Sequence, residues 1–175
     1  GLVGISEKQE IVPELAEKWD TSRDGRTYTF FLRKDVTWHP KEGEAPKPFN
    51  ADDVVFTYKV MMHPKTITPL KVRYEFIDAV EKVDDYTVRF TLKRPILNAL
   101  AKFSFKIIPK HGPANKEFLT RDDPFVQHPV GTGPYQLTAV TPEREIVLTA
   151  NENYFKGRPH INQFSEKPFA DQNIM

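Results

Sequence analysis

The sequence predicts an α+β fold, a mixed and largely antiparallel sheet with inserted helices, on three observations. Several short stretches alternate apolar and polar residues at period two, the pattern of strands with one buried face. Neighbouring stretches are separated by brief turn signals, which makes hairpins more frequent than βαβ units. One longer stretch has three-to-four spacing instead, with helix signals at both ends. No repeat of fixed period appears.

The clearest strand is "TYTFFLR" (27–33), where Tyr28, Phe30 and Leu32 alternate with Thr27, Thr29 and Arg33. The preceding "SRDG" is a turn whose Gly25 can take a positive φ. "VTWH" continues extended to His39, and "PKEGEAPKP" is a charged Pro/Gly loop expected at the surface. In "NADDVVFTYKVMMHP", Asn50 is a candidate N-cap, Asp52 and Asp53 face the positive helix end, and Pro64 closes the helix. Ala51, Val54, Val55, Tyr58, Met61 and Met62 form one apolar stripe while Phe56 and Val60 lie off it, so the helix is expected between two layers.

"FIDAVEKVDDYTVRFTLKRP" reads as a hairpin, with Tyr86, Val88, Phe90 and Leu92 alternating behind an Asp-Asp turn. "PILNALAKFS" is expected as a short helix opened by Pro95, "FKIIP" as a short buried strand and "GPANKEFL" as a weak helix. "YQLTAV" and "REIVLTAN" form a second hairpin around "TPE", and "NYFKGRPHINQF" carries a glycine turn into a last strand.

With 175 residues, 39% of them hydrophobic, and thirteen Phe, six Tyr and two Trp, the chain can bury a sizeable core and reads as one domain over residues 1–175. Its 25 basic and 24 acidic residues are interspersed, so no basic block is available to a phosphate backbone and nucleic acid is not an expected partner. The absence of cysteine excludes disulfides, thiolate zinc sites and cysteine nucleophiles. No apolar run approaches the roughly 20 residues that span a bilayer, and the first residues lack the basic start and apolar core of a signal peptide. The chain starts at Gly1 and ends in "ADQNIM", where a helix reads as beginning; both ends are expected to be cuts.

The stretch "PVGTGPY" (129–135) tests poorly as a phosphate cradle, because Pro134 removes an N–H, a strand rather than a helix follows, and the lysine and Ser/Thr of a P-loop are missing. It is no nucleophile elbow either, since no serine sits between its glycines. It is expected to be a rigid turn whose glycines supply conformations other residues resist, with backbone a ligand can approach. His39, His63, His111, His128 and His160 fall in loops or element ends at no metal-binding spacing. Ser6, Ser22, Ser104 and Ser165 have no nucleophile context. Asp52 with Asp53 and Asp84 with Asp85 are explained by a helix start and a turn. No catalytic residue, metal or cofactor is expected. The aromatic residues are expected chiefly to fill the core, with Trp38 and Tyr135, which adjoin irregular segments, as the alternatives for stacking on a ligand.

Taken in order, "IVPELAEKWD", "DGRTYTFFLRKDVTWH", "PFNADDVVFTY", "VEKVDDYTVRFTLKRP", "IIPKH", "PVGTGPYQL" and "LTANENYFKGRPHI" resemble family 5 of the extracellular solute-binding proteins, the dipeptide-, oligopeptide- and nickel-binding receptors of bacterial ABC transporters. One departure is the loop between His39 and Pro48, longer than the short "H-x-G-x-P" connection usual in the family. The resemblance implies part of the first lobe of a two-lobed receptor of the type II periplasmic-binding-protein kind, with the second lobe outside this chain. Such a receptor closes over an oligopeptide, delivers it to a membrane permease and performs no chemistry. It would be periplasmic or at the cell surface, free or lipid-anchored. The resemblance also implies a cleft-facing edge made by Leu2, Val3 and Gly4 with Gly131, Thr132, Gly133 and Tyr135. The alternatives are the ligand-sensing domain of a transcriptional regulator and, more remotely, a hydrolase.

Overall fold

The computed structural model describes residues 1–40, 43–113, 116–141 and 144–167. The "ADQNIM" end lies outside them. The order of elements is β1 (Val3–Ile5), β2 (Ile11–Pro13), β3 (Ala16–Thr21), β4 (Thr27–Leu32), α1 (Ala51–Met62), α2 (Leu70–Tyr74), β5 (Ile77–Asp84), β6 (Thr87–Leu92), α3 (Ala99–Lys102), α4 (Pro124–Gln127), β7 (Tyr135–Thr141), β8 (Glu145–Ala150) and β9 (Gln163–Glu166). The class is α+β as the sequence reads. The strands divide among three sheets, β1-β2, β3-β4-β6-β5 and β7-β8-β9, and every pairing among the described residues is antiparallel.

The four-stranded sheet carries the core. Tyr28, Phe30 and Leu32 of β4 and Val88, Phe90 and Leu92 of β6 are buried as their alternation requires, and the register sets Phe30 opposite Val88 and Tyr28 opposite Phe90. Phe103, just past α3, lies beneath this face with its ring 4.8 Å from those of both Phe30 and Phe90. Its carbonyl accepts the Leu2 N–H and so ties the start of β1 to the same core.

Helix α1 starts at Asn50 with a capping box, in which Asn50 accepts from the Asp52 N–H and Asp53 accepts from the Asn50 N–H. Ala51, Val54 and Met61 join the main core, whereas Phe56 and Val60 are buried on another flank, so the helix does lie between layers. Val55, Tyr58 and Met62 of the expected stripe are half-buried at the border.

Three expectations fail locally. The third helix begins at Ala99, not Pro95, because Asn98 takes a left-handed conformation (φ 55°) that a right-handed helix cannot contain. "FKIIP" buries Phe105, Ile107 and Pro109 in alternation but forms no strand. It runs along α1, where Ile108 exchanges hydrogen bonds with the Thr57 hydroxyl and the Lys110 N–H donates to Asp53. "GPANKEFL" forms no helix in its described residues; residues 114 and 115 lie outside them.

The 36–39 stretch is extended and closes the base of the long loop. The Trp38 N–H donates to the Lys47 carbonyl, the Phe49 N–H donates to Val36, and Thr37 bridges Pro48. Trp38 is 1% exposed, packed edge-on to Phe49 and His111, with its indole N–H on Asp53 at 2.9 Å. It is a core residue and is not available to stack on a ligand.

Candidate functional site

A groove of about 600 Å³ runs between β1 and the "PVGTGPY" turn. Val3 and Gly4 line one wall, and Gly131, Thr132 and Gly133 line the other. Five of the seven residues expected at a cleft edge therefore meet around one space. Leu2 and Tyr135 do not. Leu2 is fully buried in the core, and the Tyr135 ring packs edge-on to Phe164 with its hydroxyl on the Ile161 carbonyl.

The turn is anchored from behind. The His39 N–H donates to the Gly131 carbonyl at 2.9 Å, and His39 Nε2–H donates to the Gly133 carbonyl at 2.9 Å. Asn151 adds an Nδ2 hydrogen bond to the same Gly133 oxygen and a backbone bond to Pro134. Between these held carbonyls sits Thr132, whose hydroxyl and backbone groups have no partner among the described residues. The opposite wall has a comparable feature. Alternate residues of a strand point their N–H and C=O away from the partner strand, and nothing among the described residues pairs with the side of β1 away from β2.

Glycine is used differently at the three positions. A Cβ on Gly4 would stand 2.8 Å from Glu14 Cγ, so a larger residue there requires the side chain that pairs with Lys156 to shift. Gly131 and Gly133 have no positive φ, contrary to the expectation that they supply unusual conformations. A Cβ would meet His39 Cε1 at 3.5 Å on Gly131 and the Tyr135 carbonyl oxygen at 4.0 Å on Gly133, both ordinary contacts. Gly131→Ala and Gly133→Ala are therefore expected to fold with unchanged or slightly raised stability, within about 1 kcal/mol. A loss of several kcal/mol in chemical denaturation would refute this.

His39 is 8% exposed, and burial holds its pKa below the ordinary value of 6.5. A histidine whose folded pKa is depressed contributes stability that is fully present above pH 6.5 and declines as the pH falls from there toward the folded value. The unfolding midpoint should drop between pH 7 and pH 5 by more than it does in His39→Gln. Equal slopes in the two proteins would exclude His39 as the cause.

No group of three or more His, Asp or Glu able to hold a metal ion occurs among the described residues. The groove's polar lining consists of hydrogen-bonding groups and two charged side chains, Glu14 and Lys106, with no nucleophile set beside a base. Such a surface can hold an extended chain through its backbone groups. Residues 10–175 match the family described as bacterial extracellular solute-binding proteins, family 5 (middle). The chain belongs to this family. It is 32% identical to di/tripeptide-binding protein 2 of Pseudomonas aeruginosa, over 94% of this chain and 34% of that protein. Among solved structures, NikZ of Campylobacter jejuni in complex with Ni(L-His) superposes with a TM-score of 0.85 at 32% identity, covering 99% of this chain and 34% of that one. The oligopeptide-binding protein AppA of Bacillus subtilis, in complex with a nonapeptide, gives a TM-score of 0.80 at 31% identity, over 98% of this chain and 34% of that one. The chain thus spans about a third of the length of these family 5 relatives, which are binding proteins rather than enzymes. No helix among the described residues is long and apolar enough to cross a membrane.

The sequence indicated the glycine turn but not its anchors. His39 lies 94 residues from Gly133, and nothing in the local pattern of "VTWH" signals that partnership.

Proposed function

We propose that this chain is most of the first lobe of a two-lobed receptor that binds peptides and feeds them to the permease of an ABC importer, on the periplasmic or outer face of a cell. The groove between β1 and the glycine turn is its side of the ligand cleft. The observation that carries this reading is the pairing of two unsatisfied backbone surfaces across that space, the free edge of β1 and the tip of the turn at Thr132. A peptide is the ligand class whose own N–H and C=O groups satisfy a strand edge whatever its side chains. The relatives named for di- and tripeptides and the nonapeptide complex of AppA support peptides as the class.

Function then follows from closure. A ligand held on one lobe shifts the open and closed states only by the additional contacts it makes when the second lobe arrives. The 175-residue chain by itself should bind peptides weakly or not at all, while the full-length receptor carrying it should bind them at micromolar or tighter affinity. Calorimetry with di- to hexapeptides tests both statements. Micromolar binding by the short chain alone would contradict the need for a second lobe. In the full-length protein Gly131→Val and Gly133→Val should keep the fold and lose affinity, because each adds bulk where the ligand backbone has to approach.

A further inference from the structure

The groove does not end at β1. Ile5, Ser104 and Lys106 line it and also line a second depression of about 580 Å³ on the far side. The charged residues lining this depression are Arg73, Lys102 and Lys106, and no acidic residue lines it. None of the three cations forms a salt bridge among the described residues. Three large exposed apolar side chains line it, Ile5 at 56%, Leu70 at 36% and Leu97 at 87% exposure. The left-handed Asn98 at the start of α3 fixes where the chain carrying Leu97 turns.

We propose that this basic depression is a subsite for the carboxylate end of peptides that extend past β1. The inference rests on the reading of the groove as a peptide site. A peptide lying along β1 leaves the groove at Ile5, the residue both spaces share. A chain end arriving there meets three cations that form no salt bridge among the described residues, Lys102 standing over the Phe76 ring, and they attract a carboxylate and repel an ammonium group. The charge therefore fixes direction as well as length preference: the carboxyl end runs toward Ile5, and the apolar rim receives the last side chain. Peptides too short to pass Ile5 gain nothing from the subsite.

The test measures affinity of the full-length receptor for alanine-based peptides of two to eight residues, each as free acid and as C-terminal amide, by calorimetry at low and at physiological salt. Long free acids should bind about fivefold better than their amides, within what one or two exposed ion pairs supply, and the advantage should shrink in salt. Dipeptide acids and amides should differ by no such step at this subsite, so Arg73→Gln/Lys102→Gln/Lys106→Gln should leave dipeptide affinity unchanged while abolishing the advantage of long acids. Lys106→Gln alone, on an exposed side chain, guards against loss of folding in the triple variant. An amidated peptide ending in Glu distinguishes a side-chain from a main-chain carboxylate, and recovery of affinity by either supports the subsite. Equal affinity of long acids and amides, or an advantage that survives the triple variant, overturns it while leaving peptide binding intact. Failure of every peptide to bind removes the peptide reading of the groove and the subsite together.

Discussion

Asp53→Ala is expected to destabilise the chain by about 3–5 kcal/mol, the scale for leaving three donors unpaired and losing part of a helix cap, and to lower the thermal midpoint by roughly 10 °C or more for a chain of this size. Asp53 is 4% exposed and accepts three N–H groups from three parts of the fold. The Trp38 indole and the Asn50 N–H reach Oδ2 at 2.9 and 3.1 Å, and the Lys110 N–H reaches Oδ1 at 2.8 Å. Alanine leaves all three donors without an acceptor, the Trp38 indole in the interior and the other two half-buried, which costs more than the net gain of making the bonds. It also removes half of the capping box that starts α1. Asp53→Asn keeps one acceptor oxygen and should fall between wild type and alanine. Thermal unfolding followed by circular dichroism decides it, and an alanine variant within 1 °C of wild type would falsify the assignment of Asp53 as the junction.

Phe103→Ala should cost a similar amount, about 3–5 kcal/mol, through a different mechanism. The residue is fully buried, and its ring sits within 4.8 Å of Phe30 and Phe90 and 5.4 Å of Tyr28. Its backbone bond to Leu2 survives the substitution, so the loss reports side-chain packing and the cavity left under the four-stranded sheet. Phe103→Leu refills most of that space and should cost distinctly less. Equal losses for leucine and alanine in urea denaturation would mean that edge-on ring geometry, not volume, sets the cost.

The elements legible in the sequence are those whose partners are near in the chain or whose burial alternates over five residues or more. β4, β6 and α1 are of this kind, and so is the β7-β8 hairpin. β1, β2 and β3 lack the signal: the first two are three residues long, and β3 buries Ala16 fully and Trp19 partly among Glu17, Lys18 and Asp20. "FKIIP" has the alternation of a strand without being one, because its backbone bonds go to the Thr57 and Asp53 side chains of a helix more than fifty residues earlier. Periodicity reports which side chains are buried, not what the backbone pairs with. The site divides in the same way. The turn was readable from Gly131, Gly133 and their flanking prolines, whereas the reason given for those glycines was wrong, since their φ values are ordinary. Their smallness matters on the side facing open space, and a single sequence contains no trace of an absent neighbour. The basic depression was equally invisible, because Arg73 of α2 converges with Lys102 and Lys106 of a stretch about thirty residues later, and no local pattern links the two.

The ladder at the base of the 40–48 loop has an engineering consequence. Because Trp38 and Lys47 are clamped together, as are Val36 and Phe49, the length of chain between them is decoupled from the position of His39. Doubling such a loop costs only about 0.6 kcal/mol in closure entropy. A fluorophore-bearing insert placed between Gly43 and Pro46, both exposed, would sit one hydrogen-bonded pair away from the residue that holds the glycine turn. The loop is thus a port for an optical reporter placed beside the glycine turn.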